Sequence, residues 1–327
     1  MGSMGILAGF DVGSVIAKAV LLDERARIVG RWETRSRGRP AEALHTLLEK
    51  CLKRAGRTEL RIGLTGYGRE GLAFPEAVYA CNEIAALAYG VSHLDRRIKS
   101  AIEVGGQSTQ WIRLEGEPVD SAPGRFLDFV VNERCAAGSG AFIEQQAARL
   151  KLNIEESSKL TTRAKTGAPI AGRCSVFAKS DMIHLQQKGS PVEEIAYGLC
   201  QAVARNFIGT ILKGKEVVPP VLFAGGGARN EGLVRAFRDV LDLEQEQFIP
   251  SPCPSYECAL GAALAAREFG RDILISASED SAGLFIPEEK RTNGGLVPLS
   301  PLSNSPDLEP RPSAGEMIRG YLGLDVG

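Results

Sequence analysis

The sequence predicts an α/β protein in which two related domains face each other across a cleft. Three observations lead to this fold class. The chain has 327 residues, the usual length of two domains. An apolar strand that runs into a small-residue turn, followed by a second strand, occurs near residue 10 and again near residue 104. Segments with helical spacing of apolar residues follow each pair of strands, as expected for sheets covered by helices.

The first part of the chain alternates strands and helices. The predicted elements are strands at 5–12, 15–22 and 26–34, a helix at 40–55, a strand at 60–65 and a helix at 77–91. An Asp-Glu-Arg turn separates the second strand from the third. In the first helix, apolar side chains recur at helical spacing from Leu44 to Leu52, and Pro40 suits its first turn.

The second part repeats this opening and then becomes mainly helical. The predicted elements are strands at 100–104 and 110–114, helices from 140 to about 150, at 176–187 and at 191–213, a strand at 217–224, a helix from 229 and a last helix at about 255–268. The last helix is rich in alanine and glycine. The repeated opening predicts two domains that share the same order of strands.

The two openings also predict the domain boundaries. We place the first domain at residues 5–98, completed by the helix at 255–268, and the second domain at 99–254. Residues 271–320 are predicted to be a linker. Six of the 17 prolines lie between 287 and 312, among serine, asparagine and glycine.

The last residues of the chain resemble its beginning. Residues 322–327 read Leu-Gly-Leu-Asp-Val-Gly, and residues 8–13 read Ala-Gly-Phe-Asp-Val-Gly. We interpret residues 321–327 as the start of a truncated second module, with a chance match as the alternative.

Composition excludes several classes of function. The 39 basic and 40 acidic residues give a net charge of −1, so nothing favours nucleic-acid binding. No apolar run approaches the roughly 20 residues of a membrane helix, and no signal pattern opens the chain; we therefore expect a cytoplasmic protein without membrane association. The chain has seven cysteines, an odd number, and is too large to need disulfides for stability, so we expect no disulfide framework. With three histidines and no paired zinc motif, any metal chemistry would depend on sulfur.

Three glycine turns follow apolar strands and predict a phosphate-binding cleft. They are Asp-Val-Gly-Ser at 11–14, Glu-Val-Gly-Gly-Gln-Ser at 103–108 and Ala-Gly-Gly-Gly at 224–227. Small residues let backbone N–H groups converge on a phosphate. Asp11 and Glu103 end their strands as carboxylates suited to Mg²⁺, and Lys18 could reach a phosphate. The alternative is that these are ordinary turns and that Lys18 is a solvated strand residue.

Seven motifs in order resemble one known family. They are DVGS at 11–14, TGYGR at 65–69, EVGGQS at 103–108, NERCAAGSG at 132–140, GRCSVFAKSDMIHLQQ at 172–187, AGGGARN at 224–230 and ALGAALAA at 259–266. Over roughly residues 5–268 the chain resembles the ATPase activators of 2-hydroxyacyl-CoA dehydratases and the ATPase subunits of benzoyl-CoA reductases. It is most similar to the long fused CoA-substrate-specific enzyme activases, which carry two such modules in tandem.

The resemblance implies a fold and a set of nucleotide ligands. The fold is that of two ribonuclease H-like domains, as in the actin-like ATPases, the sugar and acetate kinases and the heat-shock chaperones. ATP or ADP with Mg²⁺ would bind between the domains, and Asp11 and Glu103 would be the catalytic acids. The residues expected to bind the nucleotide are Gly13, Ser14, Lys18, Gly105, Gly106, Gln107, Gly138, Gly225, Gly226, Gly227 and Asn230.

The resemblance also implies an iron–sulfur centre. In the family, one [4Fe-4S] cluster lies in a dimer interface, with two cysteines from each half, and the matching residues are Cys135 and Cys174. The partner would be a second copy or the second module of the same chain. ATP hydrolysis would drive one-electron transfer to a CoA-ester dehydratase or reductase, with ferredoxin or flavodoxin as electron donor.

Two departures keep other functions open. Single-module activators usually carry aspartates where this chain has Glu103 and Ser108. One alternative is a small-molecule, sugar-type kinase of the same superfamily, which would not need the cysteine motifs. The other is a non-catalytic nucleotide-binding module that positions an active second copy.

Overall fold

The computed structural model describes residues 6–13, 15–56, 59–115, 124–132, 139–171, 175–274 and 284–287. Its strands are β1 (Ile6–Val12), β2 (Ile16–Leu22), β3 (Ile28–Arg35), β4 (Glu59–Thr65), β5 (Leu72–Ala73), β6 (Tyr79–Ala80), β7 (Ser100–Val104), β8 (Thr109–Leu114), β9 (Phe126–Asn132), β10 (Val221–Ala224), β11 (Phe248–Pro250), β12 (Asp272–Leu274) and β13 (Ile286–Pro287). Its α-helices are α1 (Pro40–Ala55), α2 (Glu83–Leu94), α3 (Gly140–Arg149), α4 (Ile154–Thr161), α5 (Ser175–Gln187), α6 (Val192–Asn206), α7 (Glu231–Leu241) and α8 (Glu257–Phe269).

Two sheets of related topology form the framework. The first sheet has the order β12-β4-β1-β2-β3, with β6 beside β4, and the second has the order β11-β10-β7-β8-β9. In each sheet an antiparallel hairpin, β1–β2 or β7–β8, is joined to a parallel strand, β4 or β10. The repeated opening in the sequence therefore corresponds to a repeated pairing of strands.

The alternation of side chains on β1 explains how the first sheet packs. Ala8, Phe10 and Val12 point to one face and join a buried cluster with α1. Leu7 points to the opposite face, toward α8 and α2. Gly9 lies on that face too, and a Cβ there would come within 1.9 Å of the carbonyl oxygen of Ala259 in α8. The glycine therefore lets the helix lie directly on the strand backbone.

The second sheet is covered on both faces in the same way. Ile102 and Val104 of β7 pack with α6 and α7 in the largest buried cluster. Ala101 of β7 and Ile112 of β8 belong instead to the cluster that contains α2 and α8. Residues of both sheets thus meet around these two helices. Glu103 and Asp11 have the parity of Ala101 and Leu7, so both acids lie on the faces toward α8.

The apolar segment at 192–212 lies inside this second core. It is helical throughout, and its last six residues, Phe207–Leu212, form a π-helical turn. By length and composition it is the one helix among the described residues that is long and apolar enough to cross a membrane, and most of it is buried against its neighbours. Burial in a core accounts for its apolar composition.

The linker prediction at 271–320 is wrong for its first part. Residues 272–274 form β12, which pairs antiparallel with β4, and Arg61 donates a hydrogen bond of 2.6 Å to Asp272. Leu284 and Phe285 are buried with α1, and β13 pairs with β5. Residues 272–274 add an edge strand to the first sheet, and Phe285 adds a buried aromatic side chain to the cluster on one of its faces. Residues 272–274 and 284–287 therefore belong to the first domain. Residues 275–283 and those after 287, including the predicted module start at 321–327, lie outside the described residues.

Candidate active site

Two hairpins of the same construction face one cavity. In the first hairpin, Asp11 on β1 lies opposite Lys18 on β2. In the second, Glu103 on β7 lies opposite Gln110 on β8. Each acid is the next-to-last residue of its strand, and its cross-strand neighbour follows seven positions later. The two acids therefore occupy equivalent places in the two sheets.

The acid of the first hairpin carries its own counter-ion. Lys18 Nζ donates a hydrogen bond of 3.0 Å to Asp11 Oδ2, and both side chains are mostly buried. Burial alone would lower the pKa of Lys18, but the charges of Asp11 and Glu103 outweigh it and hold the pKa above its ordinary value. Lys18 is therefore a fixed positive charge on the cavity wall at neutral pH.

The acid of the second hairpin has a neutral partner. Gln110 Nε2 donates a hydrogen bond to Glu103 Oε2. The pKa of the Glu103 carboxyl is raised to about 7, chiefly by burial and also by the nearby charge of Glu257; Gln110 and Lys18 oppose the rise. Near neutral pH the protonated and the ionised forms of this carboxyl are therefore both populated.

The beginning of α8 completes the surroundings of Glu103. Cys258 Sγ lies 3.8 Å and 3.9 Å from the two Glu103 oxygens. Glu257 is fully buried and accepts a hydrogen bond of 3.4 Å from the backbone N–H of Gly225. Burial raises the pKa values of both the Glu257 carboxyl and the Cys258 thiol. Glu103 of the second hairpin thus contacts the buried thiol of Cys258, while the buried carboxyl of Glu257 contacts the third turn.

The glycines of the third turn are needed for close approach. Gly225 has φ = 77°, and a Cβ there would lie 2.6 Å from the carbonyl oxygen of Val104. A short 3-10 turn, Gly226–Arg229, follows, and Asn230 then caps α7 by accepting a hydrogen bond of 3.0 Å from the Leu233 N–H. The turn is consequently fixed against β7 on one side and α7 on the other.

The turn of the second hairpin is hydrogen-bonded to α3. The N–H groups of Gly140 and Ala141 donate to the carbonyl oxygens of Gly105 and Gly106, both at 2.8 Å. These two N–H groups are the first of the helix and would otherwise lack partners. The Gly105–Gly106 turn and the start of α3 are thereby joined directly through the backbone.

A cavity of about 730 Å³ lies between these elements. The predicted site residues on its wall are Asp11, Gly13, Lys18, Glu103, Gly105, Gly106, Gln107, Gly226, Gly227 and Asn230. Its wall also includes apolar side chains from three helices, Ile143, Ile154 and Leu233. This volume, with charged groups and apolar side chains in its wall, suits a ligand that has both an anionic group and a flat apolar group.

The remaining predicted residues fall elsewhere. Gly225 supports the third turn and does not line the cavity. Ser14, Gly138, Cys135 and Cys174 lie outside the described residues.

Other residues at the mouth of the cavity were missed by the sequence analysis. Arg229 Nη2 donates to Glu33 Oε2 at 3.2 Å, which links the 3-10 turn to β3 of the first sheet. The hydroxyl of Tyr256 donates to the same carboxylate oxygen at 3.3 Å. Both charged residues line the cavity. Gln110 does not line the cavity but contacts Glu103, and it was also missed, although its seven-residue spacing from Glu103 matches that of Lys18 from Asp11.

Two sheets of this topology, with acid-bearing hairpins facing one cavity, define an actin-like nucleotide-binding protein, which confirms the predicted fold class. The chain belongs to the BadF/BadG/BcrA/BcrD ATPase family, whose model matches residues 8–266. This match confirms the predicted family, and because the family is one of ATPases, the protein is an ATPase.

Similar proteins cover most of the chain. A 2-hydroxyisocaproyl-CoA dehydratase activator of Clostridioides difficile is 31% identical over 79% of this chain and 93% of its own length. An activator of lactoyl-CoA dehydratase of Anaerotignum propionicum is 34% identical over 80% of this chain and 96% of its own. The solved structure of the activator of the 2-hydroxyisocaproyl-CoA dehydratase from Clostridium difficile with bound ADPNP has a TM-score of 0.70 and 28% identity, and covers 81% of this chain and 95% of that chain.

Proposed function

We propose that this protein is an ATP-hydrolysing activator that carries a [4Fe-4S] cluster and drives one-electron transfer to a CoA-ester dehydratase or reductase. The observation that carries the proposal is the cavity between the two acid-bearing hairpins, in a chain whose relatives are named as dehydratase activators. The partner is then a dehydratase or reductase component, and the electron donor is a ferredoxin or flavodoxin. Its proposed location is the cytoplasm.

The lining of the cavity supports a nucleotide as the ligand. Glycine turns and Lys18 would hold the phosphates, since backbone N–H groups and an ammonium group bind anions. Ile143, Ile154 and Leu233 offer apolar surface that would hold the base. Gly13, Gly105, Gly106, Gly226 and Gly227, with Ser14 from outside the described residues, would surround the phosphate chain.

Asp11 and Glu103 fit Mg²⁺. Both carboxylates offer hard oxygen atoms on the wall of one cavity, and Mg²⁺ is held by one or two carboxylates together with water and phosphate oxygens. The bound ion would neutralise charge that develops on the transferred phosphate. Glu103 would hold or release a proton according to whether the cation is present, and Lys18 would orient the phosphates.

Cys135 and Cys174 are the proposed cluster ligands. Cys174 directly precedes α5, and Cys135 lies five positions before α3. Among the residues that the structure describes, no group of three or more His, Cys, Asp or Glu side chains could hold a metal ion. Thiolates are the ligands of [4Fe-4S] clusters, and two are too few, so a second copy or module would supply two more. The cluster would supply one-electron chemistry at low potential.

The hydrogen bonds from Gly140 and Ala141 to the Gly105–Gly106 turn support coupling between nucleotide and cluster. The turn proposed to bind phosphate holds the first residues of the helix that follows Cys135. A change in the turn between ATP and ADP would therefore shift this helix.

Anaerobic iron and sulfide analysis tests the proposal. The full chain, prepared without air, should hold about four irons and four sulfides per two chains, and Cys135→Ser and Cys174→Ser should each lose them. Cys51→Ala, at a buried cysteine of α1, is the matched control and should keep the iron. Colourless protein that gains no iron on reconstitution would contradict the cluster. ATP turnover that requires an added sugar would favour the kinase alternative.

A further inference from the structure

The two hairpins differ at one equivalent position. The neighbour of the acid is charged in the first hairpin, Lys18, and neutral in the second, Gln110. The difference continues into the next strand, where Lys18 lies opposite Glu33 on β3 but Gln110 lies opposite Val131 on β9. The first row of side chains therefore reads acid, base, acid, and the second reads acid, amide, apolar.

Gln110 is held in a costly position. It is 3% exposed, and its Oε1 atom has no hydrogen-bond partner among the described residues. A buried amide oxygen without a partner costs roughly 1–3 kcal/mol, so an apolar side chain of similar shape would suit the core better. The contact that compensates is the hydrogen bond donated by Nε2 to Glu103 Oε2. This points to a role that is exerted through Glu103.

The charges around Glu103 leave a net negative site. Asp11 of β1 lies on the wall of the same cavity as Glu103, and the buried Glu257 of α8 is next in sequence to Cys258, whose Sγ lies 3.8 Å from Glu103 Oε1. Lys18 is already paired with Asp11 at 3.0 Å. A neutral amide fixes the direction of the Glu103 carboxylate without adding a second positive charge. The hairpins then place two carboxylates, Asp11 and Glu103, and one ammonium, Lys18, on the cavity wall, which favours a divalent cation there.

We propose that Gln110 is a positioning residue that holds the Glu103 carboxylate toward the cavity while leaving its charge uncompensated. The second hairpin therefore binds the nucleotide through its divalent cation, whereas the first hairpin provides its own cation, Lys18. This inference rests on the proposed function in that the ligand is a nucleotide with Mg²⁺. In this proposal, Gln110 determines how strongly nucleotide binding depends on Mg²⁺.

Titration calorimetry of ADP with the full chain, in Mg²⁺ and in EDTA, tests the assignment. Gln110→Lys places an ammonium beside Glu103, as in the first hairpin, and should weaken the affinity gained from Mg²⁺ at least fivefold while metal-free ADP binds as well as before or better. Gln110→Met keeps the length and neutrality but removes the hydrogen bond. It should leave metal-free ADP affinity within twofold and reduce the gain from Mg²⁺ by less than Gln110→Lys does.

The mirror substitution keeps the test decisive if Gln110→Lys does not fold. Lys18→Gln should weaken metal-free ADP binding at least fivefold, since it removes the cation of the first hairpin. Folded Gln110→Lys protein with an unchanged gain from Mg²⁺ would overturn the assignment, as would Lys18→Gln protein with unchanged metal-free binding. Wild-type protein that binds no ADP under either condition would instead contradict the proposed function.

Discussion

The two hairpins share one backbone plan and carry different chemistry. Asp11 is paired with the ammonium of Lys18 at 3.0 Å, whereas Glu103 receives only the amide of Gln110. The pKa values reflect this difference. In the first hairpin, the neighbouring carboxylates hold the pKa of Lys18 above its ordinary value, and in the second, burial raises the pKa of Glu103 to about 7. A repeated fold therefore does not imply repeated electrostatics. The first hairpin neutralises the charge of Asp11 with Lys18, whereas the charge of Glu103 in the second hairpin is left to be neutralised by a proton or a ligand.

The largest expected effect comes from removing either acid. Asp11→Asn and Glu103→Gln should each lower the kcat of ATP hydrolysis by roughly 10²–10³, the usual loss when one group that stabilises transition-state charge is removed. Steady-state phosphate release measures this. Asp128→Asn is the control, because Asp128 pairs with Lys215 on the surface, and its activity should stay within twofold. Activity of Glu103→Gln close to wild type would mean that the second hairpin is a scaffold.

The raised pKa of Glu103 predicts an unusual dependence of stability on pH. In the folded protein the carboxyl keeps its proton up to about pH 7, whereas in the unfolded chain it loses it near its ordinary pKa of 4.5. The folded state binds more protons between these values, so the free energy of unfolding that Glu103 contributes falls as the pH rises through this window and stays low above it.

Glu103→Gln should therefore unfold at a higher temperature than wild type at pH 8, by roughly 2–4 °C for about 1 kcal/mol, and at the same temperature near pH 4. Circular dichroism without nucleotide or metal measures the midpoint. The pKa of Asp128 is lowered by Lys215, so Asp128→Asn should give no gain at pH 8. A lower midpoint for Glu103→Gln at pH 8 would show that Glu103 is not destabilised in the folded state.

The smallest expected effect concerns the ion pair at the cavity mouth. Glu33 extends the charged row of the first hairpin and meets Arg229 from the third turn at 3.2 Å. Both side chains are about half exposed, so the pair is worth no more than about 1 kcal/mol. Glu33→Gln should speed the release of a fluorescent ADP by no more than about fivefold in stopped-flow experiments. The exchange Glu33→Arg with Arg229→Glu should restore the wild-type rate, and faster release in the exchanged protein would contradict a role for the pair.

Much of the fold could be predicted because its main strands and helices carry regular apolar patterns. α4 could not, since its buried positions are Ser157, Ser158 and Thr161, and hydroxyl side chains leave no hydrophobic periodicity. β11 has only three residues, and β9 is an edge strand whose Leu127 and Phe129 are exposed. The predicted helix at 77–91 begins at Glu83 instead, because Asn82 caps it by accepting a hydrogen bond from Ala85.

The glycine turns and the acids at the strand ends could be predicted from the sequence, but the contacts between side chains of the site could not. Asp11 and Glu103 stand out in the sequence because an acid in an apolar strand is rare. The Glu33–Arg229 contact joins residues 196 positions apart, and only the folded chain brings them together. Glu257 and Cys258 belong to a small-residue helix that gave no chemical signal. The seven-residue spacing of Gln110 from Glu103 is visible in the sequence. Its importance follows only from the pairing of strands, which shows that Gln110 and Lys18 occupy equivalent positions.

Locating the divalent cation tests the roles of Asp11 and Glu103 most directly. A crystal structure of the full chain with Mn²⁺ and ADPNP, with anomalous data at the manganese edge, would place it. We predict a peak in the cavity that binds both the Asp11 and Glu103 carboxylates, directly or through one water molecule, with Gln110 still donating to Glu103. A nucleotide outside this cavity, or a cation that touches neither carboxylate, would contradict the roles proposed for Asp11 and Glu103.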